Sequence, residues 1–421
     1  MNNLIDVLKE RGFIDALTSD DLKAHLDRPA KVYCGFDPSA DSLHLGNLVA
    51  IMALAWFQRF GHTPVVIVGG ATGMIGDPSG KSIERNLLDE ATIQKNLQGI
   101  RKNLETVLRQ GATPPVFLNN FDWFKSFSFI DFLRDVGKLF RMGPMLGKES
   151  VRARMESEEG MSFTEFCYQI LQSYDFLHLF EKHQVTVQVG GSDQWGNITG
   201  GVELIRKVKG KEAFGITFPL LLKSDGQKFG KSEKGAVWLS PEKLSPYDFY
   251  QHLYRTADED VIKLFRMLTF LEMSEIRKIE SEMASHPNAA QKRLAQEVTK
   301  LVHGEDAMRE AERVTASAKP GAKTELDLAT LNELVGKIPT VEMGSEEVFT
   351  TPLIEILVKN QLLPSKGEAR KMIANRGVYL NNQTVEDSAY QLQKEDFIGG
   401  EILLVAVGKK QKILLKIAKS A

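Results

Sequence analysis

A chain of 421 residues, 43% hydrophobic and 26% charged, is long and apolar enough for a large core and two or three domains. Its formal net charge of −2 supplies no global field for nucleic acid, so any such contact must come from a local patch. Cys34 and Cys167 fall in a predicted strand and a predicted helix, which favours free thiols in a reducing compartment over a disulfide. Residues 1–29 have neither the composition of a secretory signal nor that of a transit peptide, and no run reaches the ~18 apolar residues of a membrane span. A cytoplasmic protein without a membrane segment is expected.

From the N-terminus, Lys31 to Phe36 reads as a strand, Asp37-Pro38-Ser39 as a turn, and His44 to about Phe60 as a helix. An imidazole and a glycine at a helix start suit an anion. Free backbone N–H groups and the positive end of the dipole face it, and Gly46 lets a sugar or ring approach the backbone. Thr63-Pro-Val-Val-Ile-Val-Gly-Gly is an apolar, β-branched run, the pattern of a strand buried on both faces. Strand, helix and strand make a βαβ unit, which implies a parallel sheet with a right-handed crossover. The loop Gly69 to Lys81 is not a phosphate-binding P-loop, because the required glycine before its Gly-Lys pair is missing.

Ala91 to Gln110 reads as helix, and so does Phe127 to Phe140, in an insertion between the two halves of the sheet. The helix from Thr164 to about Glu181 carries Tyr168, Gln172 and Asp175 along one stripe. Phe163, Phe166, Ile170, Tyr174 and Leu177 lie roughly opposite and are expected in the core. A solvated stripe ordinarily carries Lys and Glu, and none occurs between Glu165 and Glu181. The stripe therefore reads as facing a partly apolar cleft that takes a polar small molecule. Val185 to Val189 is a third strand, running into Gly190–Gln194 and a helix to about Lys207. Loops 36–46, 69–81 and 190–194 all leave carboxyl ends of strands, where open parallel sheets bind ligands. Lys-Phe-Gly-Lys-Ser at 228–232 sets two lysines three apart around a glycine, a pattern suited to clamping polyphosphate.

Pro246 to about Ala318 is helical and polar-faced, residues 319–350 have the turn composition of a linker, and Thr351 to Ala421 form a compact module. The module holds eleven Lys plus Arg against seven Asp plus Glu, about +4 in a chain of −2. Lys366, Arg370 and Lys371 stand at near-helical spacing within it. Such a face, beside Asn-rich turns, suits the phosphates of structured RNA.

In this order, the His44–Asn47 and Lys228–Ser232 clusters resemble the paired nucleotide motifs of the class I aminoacyl-tRNA synthetases. Tyr33, Asp77, Tyr168, Gln172, Asp175, Gln188 and Gln194, with Gly-Gly-Ser-Asp-Gln-Trp-Gly-Asn at 190–197, are similar residue for residue to the bacterial tyrosyl-tRNA synthetases, over essentially the whole chain. The resemblance implies an α/β fold. A Rossmann-like parallel-sheet catalytic domain would span 1–240 and an α-helical domain 241–318. After the 319–350 linker, 351–421 would be a small α+β domain like the RNA-binding fold named after ribosomal small-subunit protein four.

It further implies a tyrosine–tRNA ligase that makes tyrosyl-adenylate and pyrophosphate from L-tyrosine and ATP, then charges tRNA(Tyr). Tyr33 and Asp175 would hold the phenolic hydroxyl, with Asp77, Tyr168 and Gln172 on the α-ammonium, Gln194 near the carboxylate and Gln188 in the same pocket. On the ATP side, Cys34 and Asp193 would meet the ribose, His44 the α- and β-phosphates and Ser39 the terminal phosphates, with Gly35, Asp37, Gly46, Asn47 and Gly191 completing the site. Lys228, Lys231 and Ser232 would close over the pyrophosphate, and Lys81 and Arg85 would add further cations. Asn47 stands where the family most often has a second histidine. It keeps a hydrogen-bond donor but does not titrate near neutrality. Mg2+ is expected with ATP but without a dedicated protein metal site. Lys366, Arg370 and Lys371 would contact tRNA, and the enzyme would be a homodimer. A tryptophan-specific relative would have no use for Tyr33 paired with Asp175, and an inactive RNA-binding relative no use for His44, Lys228 and Lys231.

Overall fold

The computed structural model describes residues 3–79, 88–108, 111–158, 160–227, 229–232, 235–319, 321–322, 326–408 and 411–418. Lys81, Arg85 and Lys228 lie outside the described residues, as do the side chains of Lys231 and Ser232. The chain divides into two compact units, Met1–Ser245 with His252–Gly304, and Pro246–Gln251 with Glu305–Ala421.

In the first unit, β1 (Ala16–Leu17), β2 (Lys31–Phe36), β3 (Thr63–Val68), β4 (Val116–Asn119), β5 (Val185–Gly191) and β6 (Phe214–Phe218) form one sheet in the order β1-β6-β5-β2-β3-β4. All neighbours are parallel except β1, which runs antiparallel to β6. The apolar runs of β3 and β6 are buried almost throughout, as a sheet covered on both faces requires. From β2 the chain winds outward through β3 to β4, then crosses back to β5 on the other side of β2. Strand order thus reverses between β2 and β5.

The helix Leu45–Arg59 is apolar nearly all round and is buried between other layers. Asn47 Oδ1 accepts from the His44 backbone N–H at 3.1 Å and so fixes the helix start. The helix Phe163–His183 begins where Ser162 Oγ accepts from the Glu165 N–H at 3.2 Å. Its first turn is tied down by a buried Arg154–Glu165 ion pair at 2.7 Å. Phe163 itself is 67% exposed, against the expectation that it faces the core. As the first residue of its helix it projects beyond the layer that covers Phe166 and Ile170. The expected helix over 127–140 is shorter, Phe129–Asp135 followed by a 3-10 turn at Gly137–Leu139.

The hairpin β7 (Lys231–Ser232) and β8 (Gly235–Ala236) follows the sheet. Beyond it, the compact units depart from the expected 241–318 helical domain. The helices Asp258–Leu268 and Ala289–His303 pack on Leu45–Arg59 and Glu90–Leu108, with Trp56 edge-on to Phe270 at 5.2 Å. Arg11 donates to the Arg266 and Thr269 carbonyls at 3.0 Å, closing the end of the first of these helices. Residues 252–304 therefore share the core of the sheet unit.

In the second unit, β9 (Thr340–Met343), β10 (Val378–Leu380), β11 (Gln383–Thr384), β12 (Ile402–Val407) and β13 (Gln411–Ile417) form a sheet in the order β11-β10-β12-β13-β9. The expected linker is corrected here. Thr340–Met343 pairs in parallel with β13, and short helices form at Leu328–Leu334 and Ser345–Thr350. The apolar Val341 and Met343 give this stretch a core to join. The helix Glu305–Ser317 is likewise not separated from the module, because Asn382 Nδ2 donates to the Ser317 carbonyl and Lys412 Nζ to that of Ala318.

Candidate active site

A cavity of about 410 Å³ opens at the carboxyl ends of β2, β3 and β5, at the reversal of strand order. Its lining includes Tyr33, Cys34, Gly35, Asp37, Ser39, His44, Gly46, Asn47, Asp77, Tyr168, Gln172, Asp175, Gln188, Gly191, Asp193 and Gln194. The structure thus brings together every expected tyrosine-side residue and the described ATP-side residues up to Asp193. Of the remaining ATP-side residues, Lys231 and Ser232 are described by backbone alone, and Lys228, Lys81 and Arg85 lie outside the described residues. Lys366, Arg370 and Lys371 sit in the other unit, exposed on the helix Lys366–Ala374.

Besides Asp193, the carboxyl groups of Asp37, Asp77 and Asp175 line this cavity, and each of these three is held by donors from other elements. Asp37 accepts from the Tyr168 hydroxyl and from Thr72 Oγ1, both at 2.8 Å. The Gly69 backbone passes so close that a Cβ there would lie 2.2 Å from Thr72 Oγ1 and 2.3 Å from Asp37 Oδ1, which explains a glycine at that position. Asp77 accepts from Gln194 Nε2 at 2.7 Å and from the Ser79 N–H at 2.9 Å. Asp175 accepts from Asn120 Nδ2 at 3.0 Å and from the Trp123 indole at 2.9 Å. Asn120 also donates to Thr72 Oγ1 at 3.0 Å, joining the Asp37 and Asp175 sites. Asn197 donates to Gln172 Oε1 at 3.0 Å and so fixes that amide.

The closed end of the cavity is lined by Tyr33, whose ring packs 5.3 Å from that of Phe176. Its buried hydroxyl and the buried Gln188 Oε1 have no hydrogen-bond partner among the described residues. Burial and the nearby Asp175 charge push the Tyr33 phenol well above its ordinary value, so it stays a donor. Burial and Asp37 do the same for Tyr168. Burial pushes the Cys34 thiol up to about 12, which removes it as a nucleophile.

Thr72, Ser79, Asn120, Trp123 and Asn197 were not singled out from the sequence. Asn120 and Trp123 follow β4, and the four residues of β4 give too short a periodic signal to mark a strand end. Lys148 was also missed. Its stem lies over Gly196, where a Cβ would meet Lys148 Cδ at 3.1 Å, and burial lowers its amine to about 8 against the attraction of Asp77.

The model of the family "tRNA synthetases class I (W and Y)" matches residues 25–318, and that of the "Tyrosine--tRNA ligase SYY-like C-terminal domain" matches residues 330–415. The chain is 62% identical to the tyrosine–tRNA ligase of Protochlamydia amoebophila (strain UWE25) over 99% of both chains. It is 48% identical to the chloroplastic/mitochondrial tyrosine–tRNA ligase of Arabidopsis thaliana, over 99% of this chain and 84% of that one. The solved structure of a C-terminally truncated mitochondrial tyrosyl-tRNA synthetase from Aspergillus nidulans is similar with a TM-score of 0.67 at 32% identity. That likeness covers 74% of this chain and 92% of the other.

Burial pushes the Asp175 carboxyl up to about 8, with Asn120 and Trp123 pulling it the other way. Between the ordinary carboxylate value and that point, the folded chain holds a proton that the unfolded chain has lost. The resulting stability is present at low pH and is lost as pH rises through the window. An Asp175→Asn variant has no such proton to lose. Urea midpoints measured from about pH 5 to about pH 9 are expected to shift in favour of the variant as pH rises. A difference between the two proteins that does not change with pH would contradict this burial.

Proposed function

The chain belongs to the class I tRNA synthetases of the W and Y type, and we infer from this membership and from the pocket that it is a tyrosine–tRNA ligase. The observation that carries the amino-acid choice is the unpartnered Tyr33 hydroxyl at the closed end of the cavity that Asp175 also lines. A phenolic hydroxyl both donates and accepts, so it suits the Tyr33 donor and a carboxyl oxygen of Asp175 together. An indole N–H only donates and would leave Tyr33 unpaired. A site built around such a hydroxyl rejects phenylalanine by leaving its own buried groups unsatisfied, and tyrosyl-tRNA synthetases are themselves the reference case for that rule. Asp77, Gln172 and Tyr168 take the α-ammonium, Gln194 lies near the carboxylate, and Gln188 sits beside the ring.

The tyrosine carboxylate attacks the α-phosphorus of ATP, forming tyrosyl-adenylate and releasing pyrophosphate. The terminal ribose hydroxyl of tRNA(Tyr) then takes the tyrosyl group and AMP leaves. Catalysis is positioning and electrostatic stabilisation rather than covalent work by a side chain. Cys34 and Asp193 face the ribose, with Gly35, Gly46 and Gly191 giving the backbone close approach. His44 and Ser39 serve the phosphates, and Asn47, its oxygen engaged by the His44 amide, presents its NH2 group as a donor. Asp37, hydrogen-bonded to Tyr168, spans the two halves of the site. Lys228, Lys231 and Ser232 close over the departing pyrophosphate, and Lys81 and Arg85 supply further cations for the same charge. Mg2+ accompanies ATP on its phosphates, and the described residues hold no group of three or more metal-ligating side chains.

ATP–pyrophosphate exchange with tyrosine, tryptophan and phenylalanine in turn tests the assignment. Tyrosine is expected to support exchange far above the other two, and equal or greater exchange with tryptophan would overturn it.

Lys366, Arg370 and Lys371, exposed on one helix of a module with a positive balance, serve tRNA phosphates. Replacing all three by alanine is expected to weaken tRNA binding and to flatten its dependence on log salt by about one for each phosphate no longer neutralised, leaving pyrophosphate exchange intact. An unchanged salt slope would remove this helix from the RNA surface.

Phe129, Ile130, Met142, Met155 and Phe163 are each more than half exposed within the insertion between β4 and β5. Exposed apolar side chains concentrated in one segment suit an interface, and we assign them to contact with a second copy of the chain. The double variant Phe129→Asp, Ile130→Asp should sediment as a monomer, and a persisting dimer would exclude this face. A cytoplasmic setting fits the two free cysteines, and no helix among the described residues is long and apolar enough to cross a membrane.

A further inference from the structure

The start of the Leu45–Arg59 helix and the root of the β7–β8 hairpin are far apart in sequence, yet their backbones pair. Leu45 N–H donates to the Val237 carbonyl and Leu239 N–H to the Leu43 carbonyl, each at 2.8 Å, which sets His44 opposite Trp238 in an antiparallel bridge. Ser240 N–H donates to Ser42 Oγ at 3.1 Å, and Val237 N–H donates to the Gly230 carbonyl at 3.0 Å. Gly230 lies so close that a Cβ on it would stand 2.7 Å from the Gly46 nitrogen and 3.1 Å from His44 Nδ1.

Side chains lock the same junction. The Trp238 indole lines the cavity, its ring 6.4 Å from the His44 imidazole. Lys243 Nζ sits 4.8 Å from the centre of the Trp238 ring and forms an ion pair with Asp41. Asp41 is itself held against the Glu90–Leu108 helix, since a Cβ on Gly99 would fall 1.9 Å from the Asp41 carbonyl oxygen. Asn103 of that helix accepts from the Leu43 N–H at 2.9 Å and from Ser42 Oγ at 3.1 Å. The helix, the 41–45 turn and the 237–243 segment are thus linked through Asp41, Lys243 and Trp238.

We propose that Trp238, Lys243 and Asp41 are positioning residues for adenylate formation, fixing the root of the Lys231 hairpin to the His44 helix start so that both motifs act on one polyphosphate. The proposal rests on the reading of this face as the ATP site. None of the three is hydrogen-bonded or ion-paired to a residue assigned to tyrosine, so their loss should appear in the chemical step and not in tyrosine binding.

The test is single-turnover tyrosyl-adenylate formation, with tyrosine affinity measured separately in the absence of ATP. Lys243 and Asp41 are each about one-third exposed, so Lys243→Met and Asp41→Asn should fold. Lys243→Met is expected to slow adenylate formation about threefold to tenfold, with tyrosine affinity unchanged. Lys243→Arg should recover most of the rate, because a guanidinium keeps both the ring contact and the ion pair. The double variant with Asp41→Asn should be no slower than Lys243→Met alone, as expected of residues acting as one unit. Trp238→Leu should slow the same step and Trp238→Phe less so. An unchanged rate in Lys243→Met, or an equal loss of tyrosine affinity, overturns the proposal. His44→Ala, measured alongside, separates this from failure of the site reading itself, for only in that case would His44→Ala also leave adenylate formation unaltered.

Discussion

Asp37, Asp77 and Asp175 line one cavity, the last two of them buried, and the energetics of keeping them there constrain the rest of the sheet unit. A carboxylate removed from water without partners is strongly unfavourable, so each needs donors that arrive already oriented. No single element supplies them. Asp37 is met by Thr72 after β3 and Tyr168 on the Phe163–His183 helix, and Asp77 by Gln194 after β5. Asp175 is met by Asn120 and Trp123 after β4. Only a sheet whose order reverses beside β2 brings the ends of β2, β3, β4 and β5 to the same place. At Asp175 burial prevails and the carboxyl is lifted to about 8.

The His44 side of the cavity is shaped by close backbone contacts. Asn47 turns back to cap the Leu45–Arg59 helix, whose first N–H, that of Leu45, is taken by the Val237 carbonyl. Glycines at 46 and 230 allow the helix start and the hairpin root to touch without a Cβ between them. Asn47 in place of a titratable histidine fits this arrangement, because the cap needs an oxygen acceptor and the cavity needs a donor.

The sheet centre was legible because β2, the following helix and β3 carry long, uniform apolar runs, and their observed limits, Lys31–Phe36, Leu45–Arg59 and Thr63–Val68, lie within two residues of those read from sequence. The polar stripe of Tyr168, Gln172 and Asp175 was legible for its lack of Lys and Glu, and it does line the cavity. What the sequence hid was short or non-local. β4 has four residues, too brief for a periodic signal, so Asn120 and Trp123 went unassigned. The grouping of residues 252–304 with the sheet arises from packing such as Trp56 against Phe270, which no local pattern encodes. The strand at Thr340–Met343 acquires its identity from β13, some seventy residues onward, and turn-rich flanks disguised it as linker.

The central claim is that Tyr33 and Asp175 await a hydroxyl at the closed end of this cavity. Calorimetric titration of wild-type protein and Tyr33→Phe with tyrosine and with phenylalanine, in the absence of ATP, tests it most directly. Removing the Tyr33 hydroxyl should weaken tyrosine binding by about 0.5–1.5 kcal/mol, the worth of one neutral hydrogen bond, and leave phenylalanine binding unchanged. Equal loss for both ligands, or none for tyrosine, would contradict the account.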